Sequence, residues 1–217
     1  MAKLTFKNLP TEKRERVLAA AAQLFAKKGF SRTDVAQIAA KARVAKGSIY
    51  NYFASKEEIY RDVCTDGLEK SRRAVYGGIE PGWNVYEQVE HIFRRGADFA
   101  RAHPEYILMY VNVSSSGMEE FAREISREVE AYTANHLKRL LGQGVERGIV
   151  RRDADVNMAA FTINGLYILF LLSLVSEHFR IRLKEYLEVE GELDDTVIDD
   201  VVARIFEVVR AFLEPRE

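Results

Sequence analysis

Cysteine is almost missing from this chain. Cys64 stands alone among 217 residues, which excludes an internal disulfide, and with no CxxC pair there is neither a redox couple nor a zinc clamp. Catalytic signatures are missing too. HExxH, GxSxG and a phosphate-binding GxxxxGK followed by Ser or Thr do not occur, so no catalytic residue and no cofactor is expected. Gly142, Gln143 and Gly144 with Gly148 have the wrong spacing for a dinucleotide fingerprint and follow a helical segment; they read as helix-ending glycine. Ser114, Ser115, Ser116 and Gly117 read as a turn with a cap rather than a nucleophile. His91, His103, His136 and His178 fall on different predicted helices with no i,i+4 partner, so no metal site is expected. Lys3, Lys7 and the charged stretch 11–16 leave no apolar core for a secretory signal, which makes the cytoplasm the expected compartment.

One hydrophobic run is long. Residues 158–176 (MAAFTINGLYILFLLSLVS) carry no charge and nearly reach bilayer length. Thr162, Asn164, Gly165, Ser173 and the lack of a second such run favour a helix buried in a core or at a subunit interface over a membrane span.

Charge is scarce only in sum. The net charge is −1, yet residues 1–56 hold twelve Lys and Arg against Glu12, Glu15 and Asp34, a surplus of nine. The remainder is correspondingly acidic. A basic first quarter on an acidic body is the electrostatic footprint of a nucleic-acid-binding head, although a solvated charged face has the same composition.

No alternating strand pattern and no repeat appear, and the spacing predicts about nine helices in an all-α fold. The first runs over 11–28, with Val17, Leu18, Ala21, Leu24 and Phe25 on one face and Gly29 as its stop. Thr33 is expected to cap a short helix over 34–41, and a tight turn over 42–45 leads to a second over 46–52. Ser55, Lys56, Glu57 and Glu58 form a capping box that opens a longer helix ending before Gly77 and Gly78. Further starts are expected at Asn84 with Glu87, at Pro104, and at Ser116 with Glu119. A long helix over 155–182 and a last one from Thr196 complete the chain; the last carries Val197, Val201, Ile205, Val208 and Phe212 on one stripe and Val202, Phe206 and Val209 beside it.

Two short helices joined by a four-residue turn, inside the most basic part of the chain, have the geometry of a DNA-reading helix-turn-helix. Ile38, Ala39, Val44, Ile49 and Phe53 are spaced to pack the pair, leaving Lys46, Gly47, Ser48, Tyr50, Asn51 and Tyr52 on or near the other face. Lys46 suits guanine edges or phosphate, Asn51 an adenine edge, and Ser48, Tyr50 and Tyr52 phosphate oxygens. Lys56 and the N–H groups after Ser55 form a further expected anion site. Gly47 lets backbone approach a groove closely.

The run Leu24-Phe25, Gly29-Phe30, Thr33-Asp34-Val35, Ile38-Ala39, Lys46-Gly47-Ser48-Ile49-Tyr50-Asn51-Tyr52-Phe53 and Ser55-Lys56-Glu57-Glu58-Ile59 closely resembles the N-terminal domain of TetR-family regulators over about residues 11–60. The resemblance implies a DNA-binding domain over 1–56, a helical effector-binding and dimerisation domain over 57–217, a homodimer on a palindromic double-stranded operator, and repression relieved by a small molecule. DNA contacts carried over are Thr33, Lys46, Gly47, Ser48, Tyr50, Tyr52 and Lys56, with Asn51 at a variable position as the base reader. Two residues depart from the family pattern: Arg43 stands where glycine is usual and Ala45 where a capping Ser or Thr is usual. A left-handed Arg43 costs roughly 1 kcal/mol against glycine, as does a lost cap, so Arg43 is expected to be kept for a DNA contact.

The helical body is expected to hold a bulky, apolar effector; the resemblance implies a pocket among the middle helices, with candidates His91, Phe99, Tyr106, Met109, Tyr110, Asn112, Phe121, Tyr132, His136, Asn164 and Tyr167. The last two long helices form the expected dimer surface. Two other readings stay open: a helical small-molecule-binding protein or enzyme with a vestigial DNA-binding head, and a sequence-indifferent architectural DNA binder. The intact KGSIYNYF segment speaks against the first and the large apolar body against the second.

Overall fold

The structure is a computed structural model that describes residues 2–113 and 117–215, and among these all regular structure is helical. The order is α1 (Leu4–Lys7), α2 (Thr11–Arg32), α3 (Val35–Lys41), α4 (Lys46–Tyr52), α5 (Lys56–Tyr76), α6 (Val85–Ala102), α7 (Pro104–Asn112), α8 (Glu119–Glu146), α9 (Val156–Val175), α10 (Glu177–Leu187) and α11 (Asp195–Leu213). The all-α expectation holds, with eleven helices among the described residues where nine were expected. The chain divides into two compact units, Met1–Lys70 with His103–Ser126, and Ser71–Ala102 with Arg127–Glu217.

In the first unit, α2, α3 and α4 close on Val17, Leu18, Phe25, Ile38, Ala39, Ile49 and Phe53, all buried. Their heptad-like spacing turns one face of each helix inward, and each of these side chains larger than alanine stabilises by about 1.5–3 kcal/mol relative to exposure. A ring cluster extends this core: Tyr60 meets Phe25 edge-on at 5.0 Å and Phe30 at 5.3 Å. The second unit centres on Phe93 of α6, which touches Tyr167 at 5.2 Å, Phe206 at 5.7 Å and Phe170 at 6.0 Å. Val201, Val202, Phe206, Val209 and Leu213 of α11 turn inward here, which explains why the apolar face of that helix is broad.

Several helix ends differ from the sequence expectation. Gly29 does break α2, at φ 76°, but one more helical turn follows it. Asp34, not Thr33, caps α3: its carboxylate accepts from Ala36 N–H at 2.8 Å. Likewise Asp194, not Thr196, caps α11 by accepting from Val197 N–H. In both places an aspartate at the preceding residue is the stronger acceptor for the positive helix end. The Asn84 cap forms as expected, with Glu87 accepting from Asn84 N–H at 2.6 Å and Asn84 Oδ1 accepting from Tyr86 N–H at 2.8 Å. The segment expected as one helix over 155–182 is two, broken at Ser176 by extended backbone; Arg180 reaches back to donate to Leu174 O and closes the end of α9. No glycine or proline marks that break. Helix α1 was not anticipated, because four residues carry too little periodicity. The turn and cap expected at Ser114, Ser115 and Ser116 lie outside the described residues.

Candidate nucleic-acid interface

The turn between α3 and α4 is a Schellman closure. Val44 N–H donates to Ala39 O at 3.0 Å and Arg43 N–H to Ala40 O at 3.1 Å. Such a closure needs a left-handed residue at its centre, and Arg43 occupies it at φ 56°. The left-handed arginine anticipated from the sequence is therefore present. Ala45 precedes α4 in extended conformation and supplies no side-chain cap, again as its residue type dictates. Arg16 of α2 donates to Ala42 O at 2.9 Å and ties the turn to the first helix.

α4 buries Ile49 and Tyr52 and exposes Lys46, Gly47, Tyr50 and Asn51 along one face, with Arg43 exposed beside them and Ser48 half-buried. A Cβ built on Gly47 meets nothing within 4 Å. Nothing inside the protein therefore requires glycine at this helical position, where it costs roughly 0.5–1 kcal/mol against alanine.

Three expected contact residues face inward instead. Thr33 is only 2 % exposed, and its hydroxyl donates to Gly29 O at 2.8 Å and lies 3.2 Å from Leu24 O. Lys56 directs its ammonium at Phe30 O (2.9 Å), Thr33 O (3.1 Å) and Ser31 O (3.3 Å), over the Phe30 ring. The ring of Tyr52 is buried against Phe6 at 5.6 Å. All three brace the frame that carries α4. The free carbonyls at the end of α4 are also taken up, by the segment before α2: Lys3 Nζ donates to Tyr50 O at 2.9 Å, Thr5 Oγ1 to Asn51 O at 2.7 Å and Lys3 N–H to Tyr52 O at 2.9 Å. Burial pushes the Cys64 thiol up to about 12, so it is a protonated packing group.

The expected effector residues separate into clusters. In the first unit, Tyr106 donates to Asp66 at 2.6 Å, Lys70 pairs with the same carboxylate at 2.7 Å, and burial and that carboxylate raise the phenol far above its usual range. Met109 is buried, Tyr110 half-buried and Asn112 exposed; Phe121 packs on Tyr60 beneath the Arg61 guanidinium. In the second unit, His91 donates to Gly77 O at 2.8 Å and faces Trp83, Phe99 is buried, and Asn164 is half-buried on α9. Tyr167 lies deep against Phe93, and its phenol is raised by burial. Tyr132 and His136 converge on Tyr76, with ring centroids at 5.3 and 4.9 Å. Tyr76 and its neighbour Arg72 were missed; their i,i+4 spacing on α5 was the available signal. A cleft beside Trp83, Asn84, Gln143 and Arg147 holds about 50 Å³, too little for an organic effector.

Among proteins of known family, the description "Bacterial regulatory proteins, tetR family" matches residues 17–63. The HTH-type transcriptional repressor SCO4008 of Streptomyces coelicolor is 30% identical over 146 residues, covering 65% of this chain and 69% of that protein. A TetR family transcriptional regulator from Chloroflexus aurantiacus superposes over 100% of both chains with a TM-score of 0.73 at 20% identity. AibR, solved in complex with isovaleryl coenzyme A and operator DNA, does so over 94% of this chain and 100% of its own with a TM-score of 0.67 at 19% identity. With its helix-turn-helix built as described, the chain belongs to the TetR family of bacterial transcription regulators.

Proposed function

We propose that this protein is a cytoplasmic, ligand-responsive repressor, not an enzyme, that binds a palindromic operator as a homodimer and is released by a small, largely apolar effector. The observation that carries the reading is the outward face of α4, where Lys46, Gly47, Tyr50 and Asn51 are exposed beside a left-handed Arg43. Lys46 and Arg43 supply phosphate or guanine contacts, Asn51 reads an adenine edge, Tyr50 and Ser48 donate to phosphates, and Gly47 admits the groove wall. Thr33, Tyr52 and Lys56 act by holding that face in place.

Pairing of two chains has its own support. α9 exposes Met158 (60 %), Phe161 (75 %) and Leu169 with Thr162 and Gly165 along one stripe, and α11 exposes Val208. Apolar side chains this exposed on a long helix suit a four-helix bundle made with a second copy. Two-fold pairing presents recognition helices about 34 Å apart, one DNA turn. AibR carries a coenzyme A thioester and operator DNA in one structure, which favours an acyl-type effector here. α5 contributes residues to both units, so an effector that shifts it couples to DNA with a typical 1–3 kcal/mol.

The test is a mobility shift on DNA upstream of the protein's own gene, with sedimentation of the same sample. Salt-sensitive, sequence-specific retardation by a dimer is expected. No retardation at low salt, or a monomer at micromolar concentration, sinks the reading.

A further inference from the structure

Among the described residues, two buried side-chain nitrogens have no hydrogen-bond partner: Arg72 Nε and His136 Nε2. Both border the same pair of rings. The Arg72 guanidinium lies 4.4 Å from the Tyr132 ring centroid, and His136 lies 4.9 Å from Tyr76, which itself meets Tyr132 at 5.3 Å. A buried polar group left unmatched costs about 1–3 kcal/mol, and native proteins hold few of them. Two on one seam between α5 and α8 mark a place built for something else.

The chemistry of both atoms is readable. Arg72 is held from its far end, where Nη1 donates to Glu128 at 3.2 Å, while its Nε–H is buried without an acceptor. A guanidinium only donates. At His136 the ring nitrogen Nδ1 lies 3.3 Å from Arg139 Nη2, again a pure donor, so Nδ1 accepts. Burial and the Arg139 charge keep this imidazole neutral, and a neutral ring that accepts at Nδ1 carries its proton on Nε2. Both unmatched atoms are therefore N–H donors. Rings line the seam: Tyr132 and Tyr76, the latter bonded to Thr133.

We propose that this seam is the head-group site of the effector, and that it takes a carboxylate attached to an apolar body, the two oxygens accepting from Arg72 Nε–H and His136 Nε2–H. A carboxylate offers acceptors only, which matches donors only, and one beside a guanidinium is a charge-assisted acceptor. The tyrosine rings face the apolar body. The inference rests on the ligand-responsive reading above and names the chemical class its effector belongs to.

The experiment uses the full-length protein and calorimetric titration at pH 7.5 with phenylacetate, 4-phenylbutyrate and octanoate, each against its alcohol of equal length. At least one acid is expected to bind, ten-fold or more tightly than its alcohol. His136→Phe removes the donor while keeping a ring, so it is expected to raise the melting temperature of the free protein and to weaken the acid ten-fold or more. His136→Gln, which still offers an N–H, retains most of the binding; Arg72→Met loses it. Failure of all three acids to bind, equal binding of acid and alcohol, or unchanged binding by His136→Phe overturns the proposal. A fall in melting temperature for His136→Phe assigns the ring a packing role and overturns it too. Operator retardation measured on the same preparation separates the two levels: acids that fail while DNA binding persists sink only the head-group site.

Discussion

The helix-turn-helix and the α5–α8 seam treat their polar groups in opposite ways. Around α4 several internal carbonyls are matched by side chains: Lys56 takes three, Thr33 one, Arg16 one, and Lys3 with Thr5 the end of α4. The groups left over point outward. Along the seam the leftover groups point inward, at Arg72 and His136. A reader of a rigid duplex gains from a frame with one conformation, since misplacement weakens every contact together. A sensor has to leave some interaction unfulfilled until its ligand arrives, because a ligand shifts an equilibrium only by its differential affinity for two states.

The largest effect comes from the core of the unit that holds the seam. Phe93→Ala removes the hub of the second unit's core and is expected to destabilise by about 3–5 kcal/mol, read from urea unfolding; a loss under about 1 kcal/mol means this core is loosely packed. Next is Lys56→Met. Loss of the ammonium strands Ser31 O and Thr33 O, while Phe30 O keeps Thr33 N–H, and costs about 2 kcal/mol, with the salt slope of operator affinity as in the parent; a slope lower by about 0.9 instead makes Lys56 a phosphate contact. Gly47→Ala is expected to stabilise the free protein by roughly 0.5–1 kcal/mol and to weaken operator binding at least ten-fold. Unchanged affinity removes Gly47 from the interface.

Arg43→Gly relieves a left-handed side chain and gains roughly 1 kcal/mol in stability. It is expected to weaken DNA binding and lower its salt slope; if neither moves, Arg43 is a tolerated surface residue. The smallest effect is a pH dependence. Because burial holds the His136 pKa down, the unfolded chain takes up a proton before the folded one does, so stability is present above the ordinary imidazole value and falls as pH drops below it. The decline in melting temperature from pH 7.5 to 5.5 is expected to be shallower in His136→Phe, and an identical decline in both proteins assigns the acid sensitivity elsewhere.

The helix-turn-helix was legible because its determinants are local. Gly29, Asp34, the 42–45 turn and the Ile38, Ile49 and Phe53 spacing all act within one or two helical turns, where residue type and period nearly dictate geometry. Even the strain at Arg43 followed from comparing one residue with the glycine usual at that turn in the family it resembles. Thr33 and Lys56 misled for the same reason: a threonine before a helix and a lysine at a helix start suggest a cap and an anion site, while their actual partners lie up to 26 residues away in sequence. The break at Ser176 has no glycine or proline to announce it; Arg180 reaching back to Leu174 O closes the end of α9.

By itself the sequence determined the all-α class, the basic head and the identity of the face that α4 presents, since helical period and caps are properties of neighbouring residues. Tyr132 and His136 stood among the effector candidates through the family resemblance, which puts the pocket among the middle helices. Only the tertiary structure decided that Lys3, Thr5 and Lys56 hold the frame, and that Arg72 and His136 share one seam with unmatched N–H groups. Whether a polar group is satisfied depends on what packs against it from elsewhere in the chain, and no residue's own identity contains that information.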